Sequence, residues 1–295
     1  MSSPAHPPSP ADDLARLAPV LFVLLWSTGF IGAKLGLPHA EPITFLLIRM
    51  AAVALLLGAI AWIMKAPWPD PRQAAHIAVA GLLVHGAYLG GVFSAIELGL
   101  PAGTVALIVG LQPLLTAVAA GPVLGETVTR RQWLGFALGL LGVLLVVWEK
   151  VAFRPGSGAG LLLAGVALVG ITLGTLHQKR HGGGMDLRSG TAIQYAATAA
   201  LFAVLAPLTE TMQVEWTGRF VFALVWLSLV LSVGAIFLLF WLIRRGAASR
   251  VASLFYLTPP TTAVMAWLLF GETLGPAALV GMGIAIAGVA LVNRR

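Results

Sequence analysis

Few side chains in this sequence are equipped for chemistry, and most of them are embedded in apolar runs. Arg49 sits between Leu46-Leu47-Ile48 and Met50-Ala51-Ala52. A charge at depth in a bilayer costs several kcal/mol and is a functional hypothesis by default. A guanidinium there can hold a solute carboxylate through a fork of hydrogen bonds, or pin carbonyls of a neighbouring helix. Arg49 falls in the outer third of its run, within snorkelling reach of the surface, so a structural role is expected. His85, with Tyr88 one turn on, falls mid-run. It suits proton coupling, a hydrogen bond to a solute, or plain packing. Glu126 and Glu272 each occupy a Gly-Glu-Thr triplet before an apolar run. They could couple a cation or a proton. The expected role is structural: negative charge facing a helix N-terminus is favoured by up to ~1 kcal/mol, with Thr127 and Thr273 as N-caps.

Prolines and uncharged polar groups complete the set. Pro113 and the pair Pro259-Pro260 interrupt apolar runs near their middle. Each removes a backbone donor and frees the carbonyl four residues back, that of Val109, Phe255 or Tyr256. Freed carbonyls and kinks suit a solute path or a hinge. Gln112 and Thr258 directly precede these prolines and are candidates for solute contact. Trp26, Trp226 and Trp267 lie inside runs and could wall an apolar pocket, with Ser27, Thr172, Tyr195, Ser228, Ser232 and Tyr256 as polar anchors. Such a pocket suits neutral or aromatic metabolites. His177 and His181 have metal-ligand spacing, but Lys179 and Arg180 between them mark a helix end at the cytoplasm, and no metal site is expected. The sequence has no Cys, hence no thiolate metal site. No phosphate-binding G-x-x-x-x-G-K-[ST] loop, H-E-x-x-H or nucleophile elbow is present. Nothing calls for a cofactor, an ATPase or an enzyme.

The elements that carry these groups follow from composition. Apolar residues make up 59 % of the 295-residue chain and charged residues 10 %, against roughly 25 % charge in a soluble domain. Apolar runs near the ~20 residues that cross a bilayer recur throughout. Ten spans are read, at about 17–36, 41–64, 73–97, 102–123, 128–148, 158–178, 187–208, 217–243, 247–270 and 275–293. Residues 1–13 read as a disordered cytoplasmic tail. The net charge of +7 is assigned to orientation, not to nucleic acid. With the N-terminus inside, thirteen Lys and Arg residues, from Arg16 to Arg295, fall on the inner side. Lys34, Lys150, Arg154 and Arg219 fall outside. This bias puts both termini in the cytoplasm. Trp62, Trp68, Trp133, Trp148, Trp216 and Trp241 lie near span ends and form an interfacial belt.

The chain also repeats itself. Residues 111–146 recur without a gap as residues 257–292: Pro113 matches Pro259, Gly125-Glu126-Thr127 matches Gly271-Glu272-Thr273, and Gly142 matches Gly288. Ile48-Arg49 aligns with Ile193-Gln194. Five spans per copy is an odd number, so the two copies, 14–149 and 150–295, are inverted, with a solute site between them. Two such units, each ending in P-x-x-T-A-V, G-E-T and a Gly-rich helix, and preceded in the first unit by Trp26-Ser27-Thr28-Gly29-Phe30 and Arg49, resemble the EamA domain of the drug/metabolite transporter superfamily. The resemblance implies an inner-membrane carrier, often an exporter of amino acids or other small metabolites. The second unit departs from it in having Gln194 where the first has Arg49.

The expectation is therefore an all-α membrane protein of ten transmembrane helices in two inverted five-helix repeats, in the bacterial inner membrane. It would export neutral or aromatic amino acids by alternating access. With every Asp and Glu assigned to a loop or helix end, it would run as a facilitator; a proton-coupled exporter using His85 is the alternative, and an intramembrane lipid enzyme a remote one. Its partners are the solute and the bilayer. The small-residue faces Gly135-x-x-x-Gly139 and Ala277-x-x-x-Gly281-x-x-x-Ala285 allow close packing inside a unit or across a homodimer.

Overall fold

The computed structural model describes residues 10–116, 119, 129–153, 158–235, 238, 242 and 254–293. Among these the chain is helical, and its extended pairing is one isolated bridge between Ala40 and Val214. The helices are α1 (Pro10–Gly36), α2 (Pro42–Ile63), α3 (Pro71–Glu97), α4 (Ala102–Thr116), α5 (Arg130–Phe153), α6 (Gly158–His181), α7 (Leu187–Thr209), α8 (Gly218–Ala235), α9 (Thr258–Phe270) and α10 (Pro276–Asn293). Six of them, α1, α2, α3, α6, α7 and α8, are long and apolar enough to cross a membrane. Shorter apolar helices occupy 102–116, 133–145 and 276–288.

Local sequence explains the ends. Pro42 and Pro71 open α2 and α3 at the position where a missing N–H costs nothing. Asp70, Asp186 and Thr217 cap α3, α7 and α8 by accepting from the backbone N–H of Gln73, Arg188 and Phe220. Gly271, at φ 65°, closes α9 in the left-handed conformation. One expectation is corrected in α1: Pro10–Asp13 are helical, where the sequence predicts a disordered tail through residue 13. A proline followed by two aspartates in the first turn suits a helix start.

Packing joins the two copies helix by helix. α2 packs on α7, α4 on α9 and α5 on α10, each a helix against its counterpart in the other copy. α3 packs on α6 and α1 on α8; exchanging the copies turns one of these pairs into the other. Glycines allow the closest approaches. A Cβ on Gly142 would lie 2.4 Å from the Gly281 carbonyl oxygen, and one on Gly288 would lie 2.6 Å from that of Gly135. The small-residue faces are thus used between the copies of one chain.

The connections gather at two rims. At one, Glu210 accepts from the N–H groups of Ile43 and Thr44 and from the Thr44 hydroxyl, at 2.7–2.8 Å. Glu41 answers by accepting from Thr211 and Met212. Lys34 pairs there with Glu272, which also accepts from the Ala102 N–H at the start of α4. At the opposite rim Ser189 donates to the Pro67 carbonyl at 2.6 Å and Gln73 to that of Gly183 at 3.2 Å.

Candidate functional site

Two helices depart from α geometry at the same place in each copy. In α3 a π-helical turn covers Leu82–Ala87, and in α8 one covers Trp226–Ala235. A repeat offset of about 145 brings one onto the other. Such turns shift hydrogen bonds to the fifth residue back and are frequent at functional sites. The Ser232 hydroxyl donates to the Leu227 carbonyl, five residues back. Both turns face a cavity between the copies, through Val84 and His85 on one side and Leu231 and Ser232 on the other.

This cavity, of about 270 Å³, is walled by aromatic rings: Trp26 and Phe30 from α1, Tyr88 and Phe93 from α3, Tyr195 from α7. The His85 and Tyr195 rings lie 4.3 Å apart. Its polar groups are Arg49, His85, Thr191, Gln194, Gln178 and Ser232. Gln194 donates to Gln178 at 3.2 Å. At one end the lining reaches Met185 and Leu187, beside the rim of Pro67 and Ser189. A second cavity of about 310 Å³ shares Trp26, Phe30, Tyr88 and Ile171 with the first and extends to Gln112, Pro113, Thr175, Thr258 and Pro259. Each volume is near the lower end of the ~300–1,000 Å³ of small-molecule sites. Among the described residues, no Asp or Glu lines either one.

Arg49 is the only described Lys or Arg in that lining. It is 3 % exposed. Its Nη2 donates to Ser232 Oγ at 3.1 Å, while its Nε is buried with no partner. A buried cation normally has a counter-ion, because desolvation costs several kcal/mol. Here, among the described residues, the hydrogen-bond partner is a hydroxyl and Nε has none. In the other copy, the matching Gln194 is neutral and lines the same cavity.

The structure thus brings Trp26, His85, Tyr88, Tyr195 and Arg49 to one cavity and Gln112, Pro113, Thr258 and Pro259 to the adjoining one. The prolines stand at helix starts, not inside continuous helices. α4 is broken at Gly110–Leu111 just before Pro113, and α9 begins at Thr258 after a 3₁₀ turn over Phe255–Leu257. The breaks meet: a Cβ on Gly110 would lie 2.9 Å from Pro259 Cγ. Thr258 Oγ1 is buried and unpartnered, and Gln112 donates to Thr116 and Thr175.

Other residues singled out from sequence lie elsewhere. Ser27 donates to the carbonyls of Val23 and Thr258, and Thr172 to that of Leu168. Trp226 stacks on Phe222 and donates to Thr28 Oγ1 at 2.9 Å. Pro260 lines neither cavity. Glu272 caps α4, the helix across the copy boundary, as well as pairing with Lys34. Glu126 and the Tyr256 side chain lie outside the described residues. Sequence reading missed Gln178, Thr191 and Thr175 as cavity groups. Their signal was present, as polar side chains inside apolar runs, but it does not say which face points inward.

Comparison with known proteins agrees with the duplication. The model of the EamA-like transporter family matches twice, at residues 15–148 and 157–294. The chain is 29 % identical to the "Probable terminal-alkyne amino-acid exporter" of Streptantibioticus cattleyicolor, over 94 % of this chain and 92 % of that one. It is 27 % identical to the "Uncharacterized transporter YvbV" of Bacillus subtilis, over 92 % and 89 %. It is 25 % identical to the "Probable amino-acid metabolite efflux pump" of Salmonella typhimurium, over 92 % and 91 %. One solved crystal structure, 22 % identical, superposes with a TM-score of 0.64 over 95 % of this chain and 97 % of that one, a likeness of fold. With both copies matched and the fold shared, the chain belongs to the EamA-like transporter family, as a two-repeat membrane transporter.

Proposed function

We propose that this transporter exports small metabolites bearing a carboxylate, neutral or aromatic amino acids foremost, across the bacterial inner membrane by alternating access. The observation that carries this is Arg49: a buried guanidinium with an unpartnered Nε, in an aromatic-walled cavity between the copies. A carboxylate would complete the guanidinium fork, and the rings would hold an apolar side chain. Two relatives are named as amino-acid exporters or efflux pumps, which supports the substrate class.

The chain crosses ten times in this reading, as two inverted units with both termini in the cytoplasm. The alternation of rims along the chain and the positive charge on one side support it. The rim laced by Glu41, Glu210 and the Lys34–Glu272 pair is then the outer one, closed, and the cavity reaches toward the inner one. Export would exchange these conditions between the copies, with the broken helices at Gly110 and Pro259 as hinges.

Among the described residues no Asp or Glu lines either cavity, which supports the reading of the carrier as a facilitator. Counterflow in proteoliposomes, against a panel of amino acids and their decarboxylated amines, tests this. Exchange of amino acids without a pH step is expected; flux that requires an imposed pH gradient contradicts the facilitator, and equal flux of the amines contradicts the carboxylate anchor. His85, buried in the cavity wall against Tyr195, favours a second reading, proton-coupled export. In that case His85→Ala abolishes a pH dependence of transport that the wild type displays.

A further inference from the structure

Three imidazoles meet at the inner rim, next to the solute cavity but not lining it. His76 lies in the second turn of α3, and His177 and His181 lie one turn apart at the end of α6. The rings of His76 and His181 are stacked with centroids 4.2 Å apart, His177 and His181 are 4.5 Å apart, and His76 and His177 are 5.3 Å apart. Each ring offers one nitrogen such that the three lie within 4.8 Å of one another. Two details go beyond proximity. His177 Nε2 is buried and has no hydrogen-bond partner. His181 Nδ1 lies 3.2 Å from the His177 carbonyl oxygen, so Nδ1 carries the proton and Nε2 keeps its lone pair. A carbonyl that fixes the tautomer of an imidazole is the usual outer partner of a metal ligand.

We propose that His76, His177 and His181 form a site for a divalent transition-metal ion of the zinc class, which ties α3 to α6 at the inner rim. Neutral imidazole nitrogens suit Zn²⁺, Ni²⁺ and Cu²⁺ rather than Mg²⁺ or Ca²⁺. Zn–N bonds of ~2.0–2.1 Å in a tetrahedron put nitrogens about 3.3 Å apart. Side-chain rotation therefore has to close up to about 1.5 Å and turn the stacked rings of His76 and His181 until their in-plane lone pairs converge, and three histidines leave the fourth position to water. Lys179 and Arg180, between the two histidines of α6, are exposed, so their charges are screened. The site adjoins the solute cavity: the crevice beside His76 and His177 is also lined by Gln178, Met185 and Gln194, which wall the cavity.

The test is Zn²⁺ binding to the tag-free, purified full chain in nanodiscs, by calorimetry and by thermal unfolding. One Zn²⁺ per chain and a raised unfolding temperature are expected. Each of His76→Gln, His177→Gln and His181→Gln should weaken binding at least about tenfold, and the triple variant should abolish it. If a helix α6 variant fails to fold, His76→Gln, whose ring comes from α3, still decides the question. Titration with Co²⁺ should give the visible absorption of a low-symmetry nitrogen site, absent from the triple variant. No stoichiometric Zn²⁺ in the wild type, or equal affinity in the triple variant, would overturn the proposal.

Discussion

Replacing Arg49 by Gln separates a guanidinium that binds solute from one that holds the fold. Its Nη2 donates to a single neutral hydroxyl, Ser232 Oγ, and its Nε donates to nothing. Hydrogen bonds to a charged partner contribute about 1.5–3 kcal/mol. At 1.4 kcal/mol per factor of ten, loss of the carboxylate contact should weaken amino-acid binding roughly 10- to 150-fold. The decarboxylated amine, which cannot make that contact, should bind the wild type and Arg49→Gln with similar weak affinity. This is a thermodynamic cycle between one residue and one substrate group. The same change removes a buried charge that has no counter-ion among the described residues, so the unfolding temperature should hold or rise. The assay is binding of both ligands to each protein in nanodiscs, with thermal unfolding in parallel. If Arg49→Gln weakens acid and amine equally, or lowers stability without changing the acid-to-amine ratio, the guanidinium serves the fold and the reasoning fails.

Further outcomes follow from other contacts. Gly142→Ala puts a methyl group 2.4 Å from the Gly281 carbonyl oxygen, whereas Gly58 has nothing within 4 Å; thermal unfolding should show a loss of about 1–3 kcal/mol for the first and little change for Gly58→Ala. Glu210→Gln weakens three hydrogen bonds at the start of α2 and should lower stability by about 1–3 kcal/mol, read in the same assay. At the other rim, hydrogen bonds from the Arg188 side chain hold the Asp186 carboxyl down to about 2. A depressed carboxylate stabilises above its unfolded value and loses that contribution as pH falls toward its folded one. The destabilisation by Asp186→Asn should be constant from neutral pH to pH 5 and shrink below about pH 4.

Much of the architecture was readable because bilayer chemistry is local. Backbone groups in lipid must pair within their own segment, so apolar length and the Lys/Arg bias speak directly of helices and their direction. The echo of Pro113 in Pro259 and of Gly142 in Gly288 likewise pointed to paired counterparts, and α4·α9 and α5·α10 are such pairs. What could not be read depends on distant segments meeting. Glu272 lies beside its own helix in sequence, yet its hydrogen bond goes to Ala102 of the other copy. The sequence leaves Arg49 between a solute contact and a structural role; its surroundings come from α8, whose Ser232 accepts from Nη2. The π turns have no periodic signature, since six residues of Leu, Val, His, Gly and Ala are equally compatible with an α-helix. His76, five residues into α3, gave no sign that it would stack on His181.

Alternating access needs a passage between the copies that is open to each side in turn. The chain has no Cys, so single cysteines can be introduced without removing any. Thr191→Cys, at the cavity wall, should react with an impermeant maleimide added to either face of oriented vesicles, and a transported amino acid should slow both reactions. Labelling from one face alone, unaffected by any solute that the protein moves, would contradict it.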